Sequence, residues 1–198
     1  MTLIKSMVSS KTNEWATPQW FFDELNKEFS FTLDPCSNGN HKCDKFFTIK
    51  EDGLKQDWNK DIVFMNPPYG GHTGDWIAKA LEESKKGAVV VCLIVSSTDR
   101  SYWHDYIFPF ASQVRFIRGR LTFGEANSTA PFASAIVIFS KKKYTEKIIY
   151  YKESASVIRN KLKKSKGHKT LLPLDVKLNG GNGIPPTNKL VGILPNEL

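Results

Sequence analysis

Apolar residues along this chain recur in two rhythms, and the rhythms alternate. Phe21, Phe22, Leu25 and Phe29 fall at three- and four-residue spacing and predict a helix. Thr17 is placed to cap it and Pro18 to open it. Residues 31–35 (FTLDP) predict a strand that stops at proline, and residues 46–49 (FFTI) a second. Residues 61–65 predict a third, running straight into Asn66-Pro67-Pro68-Tyr69. Residues 74–86 predict a helix with Trp76, Ile77, Ala80 and Leu81 on one face. Residues 88–95 are uniformly apolar, as in a central parallel strand covered on both faces. Residues 101–111 predict a short aromatic helix, and residues 114–123 and 134–140 two final strands. Only a loop joins that last pair, which predicts antiparallel pairing, since a parallel return needs a longer crossover.

Strands alternating with helices predict an α/β fold with an open, mostly parallel sheet and an antiparallel terminal pair. Ligands in such sheets sit beyond the carboxyl ends of the strands. Both DPCS (34–37) and NPPY (66–69) fall there. The chain divides on this reading into a flexible N-terminus (1–14), a catalytic domain (15–143), and a basic helix with an extended tail (144–198).

Composition narrows the setting. The longest apolar run, residues 88–95, is far short of the ~20 residues that span a membrane. The opening MTLIKSMVSSK has no apolar core of the secretory kind. Three cysteines, one inside the apolar run, predict a reducing cytoplasm rather than a disulfide scaffold. Cys36, His41 and Cys43 lack a fourth ligand at finger-like spacing, so no metal site is predicted.

The net charge of +8 is unevenly spread. Residues 1–140 hold 15 basic and 16 acidic side chains, and residues 141–169 hold 11 and 2. A block of this kind seeks a polyanion, nucleic acid above all, or forms the solvated face of a helix.

Asn66-Pro67-Pro68-Tyr69 is the most informative tetrapeptide. Two prolines fix two φ angles and remove two donors. What remains is a stiff corner with an amide, free carbonyls and an aromatic ring. The Asn66 oxygen and the Pro67 carbonyl can each accept one N–H of a planar amine while Tyr69 stacks on its ring. Such bonding draws the nitrogen lone pair out of conjugation.

The tetrapeptide is similar to the catalytic motif of S-adenosylmethionine-dependent amino methyltransferases. The ordered set WATPQWFFDEL, FTLDPCSN, KCDKFFT, EDGLKQDW, IVFMNPPYGG, AVVVCLIVSS, GRLTF and APFASAIVIF resembles the phage-type DNA N6-adenine methyltransferases, the small Dam-like family. It covers roughly residues 15–140. The resemblance implies a Rossmann-like fold, S-adenosylmethionine as cofactor, double-stranded DNA as partner and adenine N6 as target. It also implies a bacterial host cytoplasm if the chain is phage-encoded, with protection of phage DNA from restriction as its role. RNA adenine, a protein glutamine amide, or a DNA-binding module without catalysis are the alternative readings.

On the cofactor side, the resemblance assigns Thr17 and Pro18 to the methionine carboxylate and Asp34, Pro35 and Cys36 to the first strand end. Two acceptor oxygens suit Asp52 to the ribose hydroxyls. Asp57 and Trp58 resemble the pair that grips the cofactor adenine. Either aspartate also suits a plain loop or cap. On the DNA side, Arg115, Arg118, Arg120 and Lys141, Lys142 and Lys143 are the expected phosphate contacts, and the loop Gly124–Phe132 meets the target strand.

Overall fold

The computed structural model describes residues 15–39, 41–124, 129–151 and 153–164. The expected N-terminal segment 1–14 and the tail from 165 onward lie outside them. The elements are α1 (Gln19–Phe29), β1 (Leu33–Asp34), β2 (Lys45–Phe46), β3 (Ile62–Met65), α2 (Thr73–Lys86) and β4 (Val89–Val95). A π-helical turn (Trp103–Ile107) then runs into α3 (Phe108–Phe110). β5 (Gln113–Phe116), β6 (Ser134–Phe139), β7 (Ile148–Tyr150) and α4 (Ala155–Lys164) follow. Among the described residues no helix is long and apolar enough to cross a membrane.

The seven strands form one sheet in the order β2-β1-β3-β4-β6-β5-β7. β2, β1, β3 and β4 are mutually parallel, and β6 is antiparallel to both β4 and β5. The antiparallel pair expected from the short connection is therefore present. β4 is the centre, and its uniform apolarity has a direct cause. Val90, Cys92 and Ile94 pack on the face that carries α2, and Val91 and Leu93 on the face that carries α1. Neither side leaves room for a polar residue. β1 has β2 on one side and β3 on the other. The chain reverses its winding there, and the crevice at that reversal is where such sheets bind ligands.

Three local expectations are corrected. α1 begins one residue later than predicted: Pro18 is the N-cap, and its carbonyl accepts from Phe21 and Phe22 at 3.0 and 3.1 Å. Thr17 precedes the cap and makes no capping bond, because its hydroxyl is bonded elsewhere. β5 ends at Phe116, not at residue 123, and Gly119 turns the chain at φ 79°. The basic stretch after residue 140 is not one helix. Ile148–Tyr150 add a seventh strand parallel to β5, and helix begins only at Ala155. The Ile-Ile-Tyr run favours strand, with Ile149 buried and its neighbours exposed.

Arg115 is also corrected: the sheet gives it a structural partner. Its side chain points from β5 toward α1 and is only 5% exposed. Both terminal nitrogens donate to Glu28 at 2.6 Å, and Nε donates to Gln113 at 2.8 Å. The guanidinium also lies over the Phe29 ring. An arginine held this way has no donor fork left for a phosphate. Arg115→Ala should lower stability by about 2 kcal/mol, the scale of hydrogen bonds to a charged group, since Glu28 keeps 36% of its side chain in solvent, read from the urea midpoint. An unchanged midpoint would show that the pair contributes nothing.

Candidate active site

A cavity of about 780 Å³ opens at the carboxyl ends of β1, β2 and β3. That volume suits a cofactor-sized molecule. Four segments form its walls: Trp15–Thr17, Asp34–Gly39, Thr48–Gly53 and Asn66–Pro68. Thr17, Asp34, Pro35, Cys36, Asp52, Asn66, Pro67 and Pro68 all line it, as expected from the sequence.

Asn66 is the best-fixed side chain in the site. Its Nδ2 donates to the Trp15 carbonyl at 2.6 Å and to the Thr17 hydroxyl at 3.0 Å. Both amide protons are thereby placed, which assigns the other end as oxygen. That oxygen, Oδ1, is buried and has no hydrogen-bond partner. A buried acceptor without a donor costs about 1–3 kcal/mol. It is an acceptor able to take an N–H that the described residues do not supply.

Asp34 is a second buried polar group of the cavity. Its carboxylate is buried and accepts long bonds, 3.3 Å each, from the backbone N–H of Cys36 and Lys42. Burial raises its pKa, and the two N–H bonds and the Lys42 charge only partly offset that. A cation against this carboxylate would relieve the desolvation. Asp52 differs in kind. It stands in the left-handed region at φ 54°, is bonded to Lys55 at 2.9 Å, and this bond lowers its pKa. It offers an ionised carboxylate at the cavity rim. Together the buried anionic wall and the outer carboxylate fit a ligand with an ammonium at one end and hydroxyls at the other. Burial drives the Cys36 thiol pKa well up, so Cys36 contributes a neutral, apolar surface.

Three sequence expectations take a different place. Trp58 is fully buried and does not face the cavity: it packs on Trp76 with rings 21° from parallel. Its indole N–H donates to the Gly53 carbonyl at 2.9 Å, and its backbone N–H to the buried Glu83 at 3.1 Å. The indole is used from below, to hold the loop that carries Asp52. Asp57 turns outward and accepts from the Asn59 N–H at 2.8 Å, the plain cap role. Tyr69 is buried against Phe123 and Phe132, edge to face, and its hydroxyl donates to the Leu93 carbonyl at 3.4 Å. Its ring is not part of the cavity wall.

Strand direction sorts the cations. β5 runs parallel to β4, so Arg118 and Arg120 emerge at the cavity end, and both are exposed. Arg120 donates to the Ala130 carbonyl at 3.2 Å. β6 runs the other way, pairing Phe139 with Val90 at the start of β4. Lys141, Lys142 and Lys143 follow it and leave the sheet at the opposite end. The direction of β6 excludes them from the cavity face. Of the loop Gly124–Phe132, residues 125–128 lie outside the described residues.

Trp15, Lys42 and Ile49 line the cavity without having been expected to. Ile49 is 95% exposed, a large apolar surface beyond the end of β2. Its signal was an isoleucine between the strand and the acidic pair Glu51-Asp52. Trp15 acts through its backbone carbonyl, which no side-chain motif can signal.

The family model for DNA N-6-adenine-methyltransferase (Dam) matches residues 5–169. No curated protein matches the chain. Among solved structures, one similar chain is a Listeria monocytogenes protein assigned to the class I S-adenosylmethionine-dependent methyltransferases. It superposes at TM-score 0.52 with 12% identity, over 82% of this chain and 74% of that one. At that identity the shared property is the fold. A second is the Type IIL restriction-modification enzyme MmeI in complex with DNA, at TM-score 0.40 and 15% identity, over 66% of this chain and 22% of that one.

Gly53 joins two cavity walls. A Cβ there would lie 1.8 Å from the Pro35 carbonyl oxygen and 3.2 Å from the Trp76 ring. No rotamer avoids a backbone atom, so any side chain must push the Asp34-Pro35 and Asp52-Gly53 turns apart. Gly53→Ala should lower affinity for S-adenosylmethionine at least tenfold in calorimetry. Full affinity in that variant would show that the two turns move independently of the ligand.

Proposed function

This chain belongs to the Dam family of DNA N-6-adenine-methyltransferases, whose cofactor is S-adenosylmethionine, and from that premise we propose the following course for its reaction. The protein transfers a methyl group to N6 of an adenine flipped out of duplex DNA. The observation that carries this reading is the orphaned Oδ1 of Asn66 beside the cavity. It accepts one N–H of the adenine amine, and the Pro67 carbonyl accepts the other. Both bonds draw the lone pair out of the ring and toward the cavity. S-adenosylmethionine would supply a methyl on a sulfonium: the N6–methyl bond would form as the sulfur–methyl bond breaks to a neutral thioether, and the extra N6 proton would pass to water. Asp34 takes the cofactor's ammonium group and Asp52 its ribose hydroxyls. Ile49 covers an apolar part of the ligand.

The base must leave the duplex to reach Asn66, at a cost of a few kcal/mol. Stacking on Tyr69 returns about 1–3 kcal/mol of that. In this reading the adenine displaces the Phe132 ring that now packs edge to face with Tyr69. Arg118 and Arg120 hold the flanking phosphates.

Asn66→Ala should abolish methyl transfer to duplex DNA while leaving S-adenosylmethionine affinity within about threefold. Parallel loss of both, by filter assay and calorimetry, would assign Asn66 to the cofactor instead.

The phosphate assignment has its own test. Each phosphate contact contributes about 0.9 to the slope of log K against log salt. Replacing Arg118 and Arg120 together by alanine should flatten that slope by nearly two. Replacing Lys141, Lys142 and Lys143 together should leave it close to the wild-type value. The reverse pattern would place the duplex at the other end of the sheet.

A further inference from the structure

Asn66 can present its oxygen to an amine only if its amide group is held in one of two orientations that differ by a half-turn. The half-turn would bring Oδ1 against the Trp15 carbonyl, two acceptors facing each other. The backbone carbonyl therefore excludes the wrong orientation. One bond still leaves the amide plane free to swing about it. The second bond, from Nδ2 to the Thr17 hydroxyl at 3.0 Å, removes that freedom. Thr17 is buried, and α1 does not use it: the helix starts from Pro18 and has no side-chain cap. A buried hydroxyl released from capping and bonded across 49 residues of sequence has a different duty.

We propose that Thr17 is a positioning residue for Asn66, and that the strap Trp15–Thr17 sets the aim of the amide oxygen. The proposal rests on the adenine reading given above and names a residue that acts on the target amine through Asn66. The sequence resemblance had assigned Thr17 to the cofactor carboxylate. The strap is itself fixed from the other side. The Ala16 carbonyl accepts from the Gly124 N–H at 2.8 Å. The Trp15 ring meets Phe123 and Phe132 edge to face, with centroids 5.6 and 4.9 Å away. Three consecutive residues thus connect the amide that would receive the target amine with the connection between β5 and β6.

The test uses the full-length chain with Thr17→Val, which keeps the shape and removes the hydroxyl, and Thr17→Ser, which keeps the hydroxyl. Turnover on duplex DNA, the KM for DNA and the S-adenosylmethionine Kd are measured for each. The side-chain amide signal of Asn66 is followed by ¹H–¹⁵N NMR, assigned by its loss in Asn66→Ala. Losing one hydrogen bond predicts a kcat about tenfold lower in the valine variant. The cofactor Kd should stay within twofold, and one Asn66 amide proton should shift. Serine should restore both kcat and the amide signal. Equal loss of cofactor affinity would return Thr17 to the cofactor and overturn the proposal. So would an unmoved amide signal in the valine variant, or a serine variant as slow as valine. If the wild-type protein methylates no adenine, the adenine reading fails. The amide signal then still decides whether Thr17 orients Asn66.

Discussion

Two hydrogen bonds from one amide tie the beginning of the described chain to its middle. Asn66 stands just past β3, and its Nδ2 reaches back 51 and 49 residues to Trp15 and Thr17. This link closes the cavity on the side that the sheet leaves open. β1, β2 and β3 supply walls because their carboxyl ends meet at one place. No strand supplies the fourth wall. The segment before α1 does, held by Asn66 on one side and by Gly124, Phe123 and Phe132 on the other. The same bonds leave Oδ1 as the unused end of the amide. Closure of the cavity and presentation of an acceptor are thus one interaction.

The sheet explains why these groups can converge. β1 lies between β2 and β3, so Asp34 at its end faces loops from both neighbours. Gly53 brings the loop after β2 to within contact of Pro35, at a distance no side chain allows. Below it, Trp58 and Trp76 fill the space that the glycine leaves, and Glu83 holds the Trp58 backbone. Burial raises the pKa of Glu83, but bonds from Lys79 and Lys86 outweigh it and keep the carboxylate ionised. The cavity is therefore shaped from beneath by Trp58 and Glu83, which do not line it, and by Trp76, which does.

Much of this was legible in the sequence, and the failures share a cause. β4 could be read because burial on two faces leaves a one-dimensional signature. The Asn-Pro-Pro-Tyr corner could be read because its stiffness is local. Asp34, at a strand end, was visible for the same reason. Trp58 was misplaced because an acid followed by an aromatic looks the same whether the ring faces a ligand or a second tryptophan. Arg115 was misplaced because Glu28, its partner, is 87 residues away. Thr17 was read as a cap, since nothing near it in sequence competes for the hydroxyl. The basic stretch after residue 140 was read as helix from its charge, whereas Ile148–Tyr150 form a strand whose middle residue is buried.

The reversal of β6 bears on substrate more than on stability. A net positive charge attracts a polyanion wherever it lies, but only charge on the cavity face can hold a duplex in register with Asn66. β5 and β6 divide the local cations between the two ends of the sheet. Arg118 and Arg120 leave on the side of Asn66, and Lys141 to Lys143 on the other. The second group can raise the rate of encounter with DNA at low salt, since long-range attraction does not require contact. It cannot orient a base. At the cavity end the cations available for phosphate are the first group and those carried by α4, which starts beside Arg118. On this geometry Lys141 to Lys143 lie apart from the cavity end, whereas α4 starts at that end, its Ala155 N–H donating to the Arg118 carbonyl at 3.0 Å, so the basic stretch is itself divided and total charge is a poor guide to where the duplex lies.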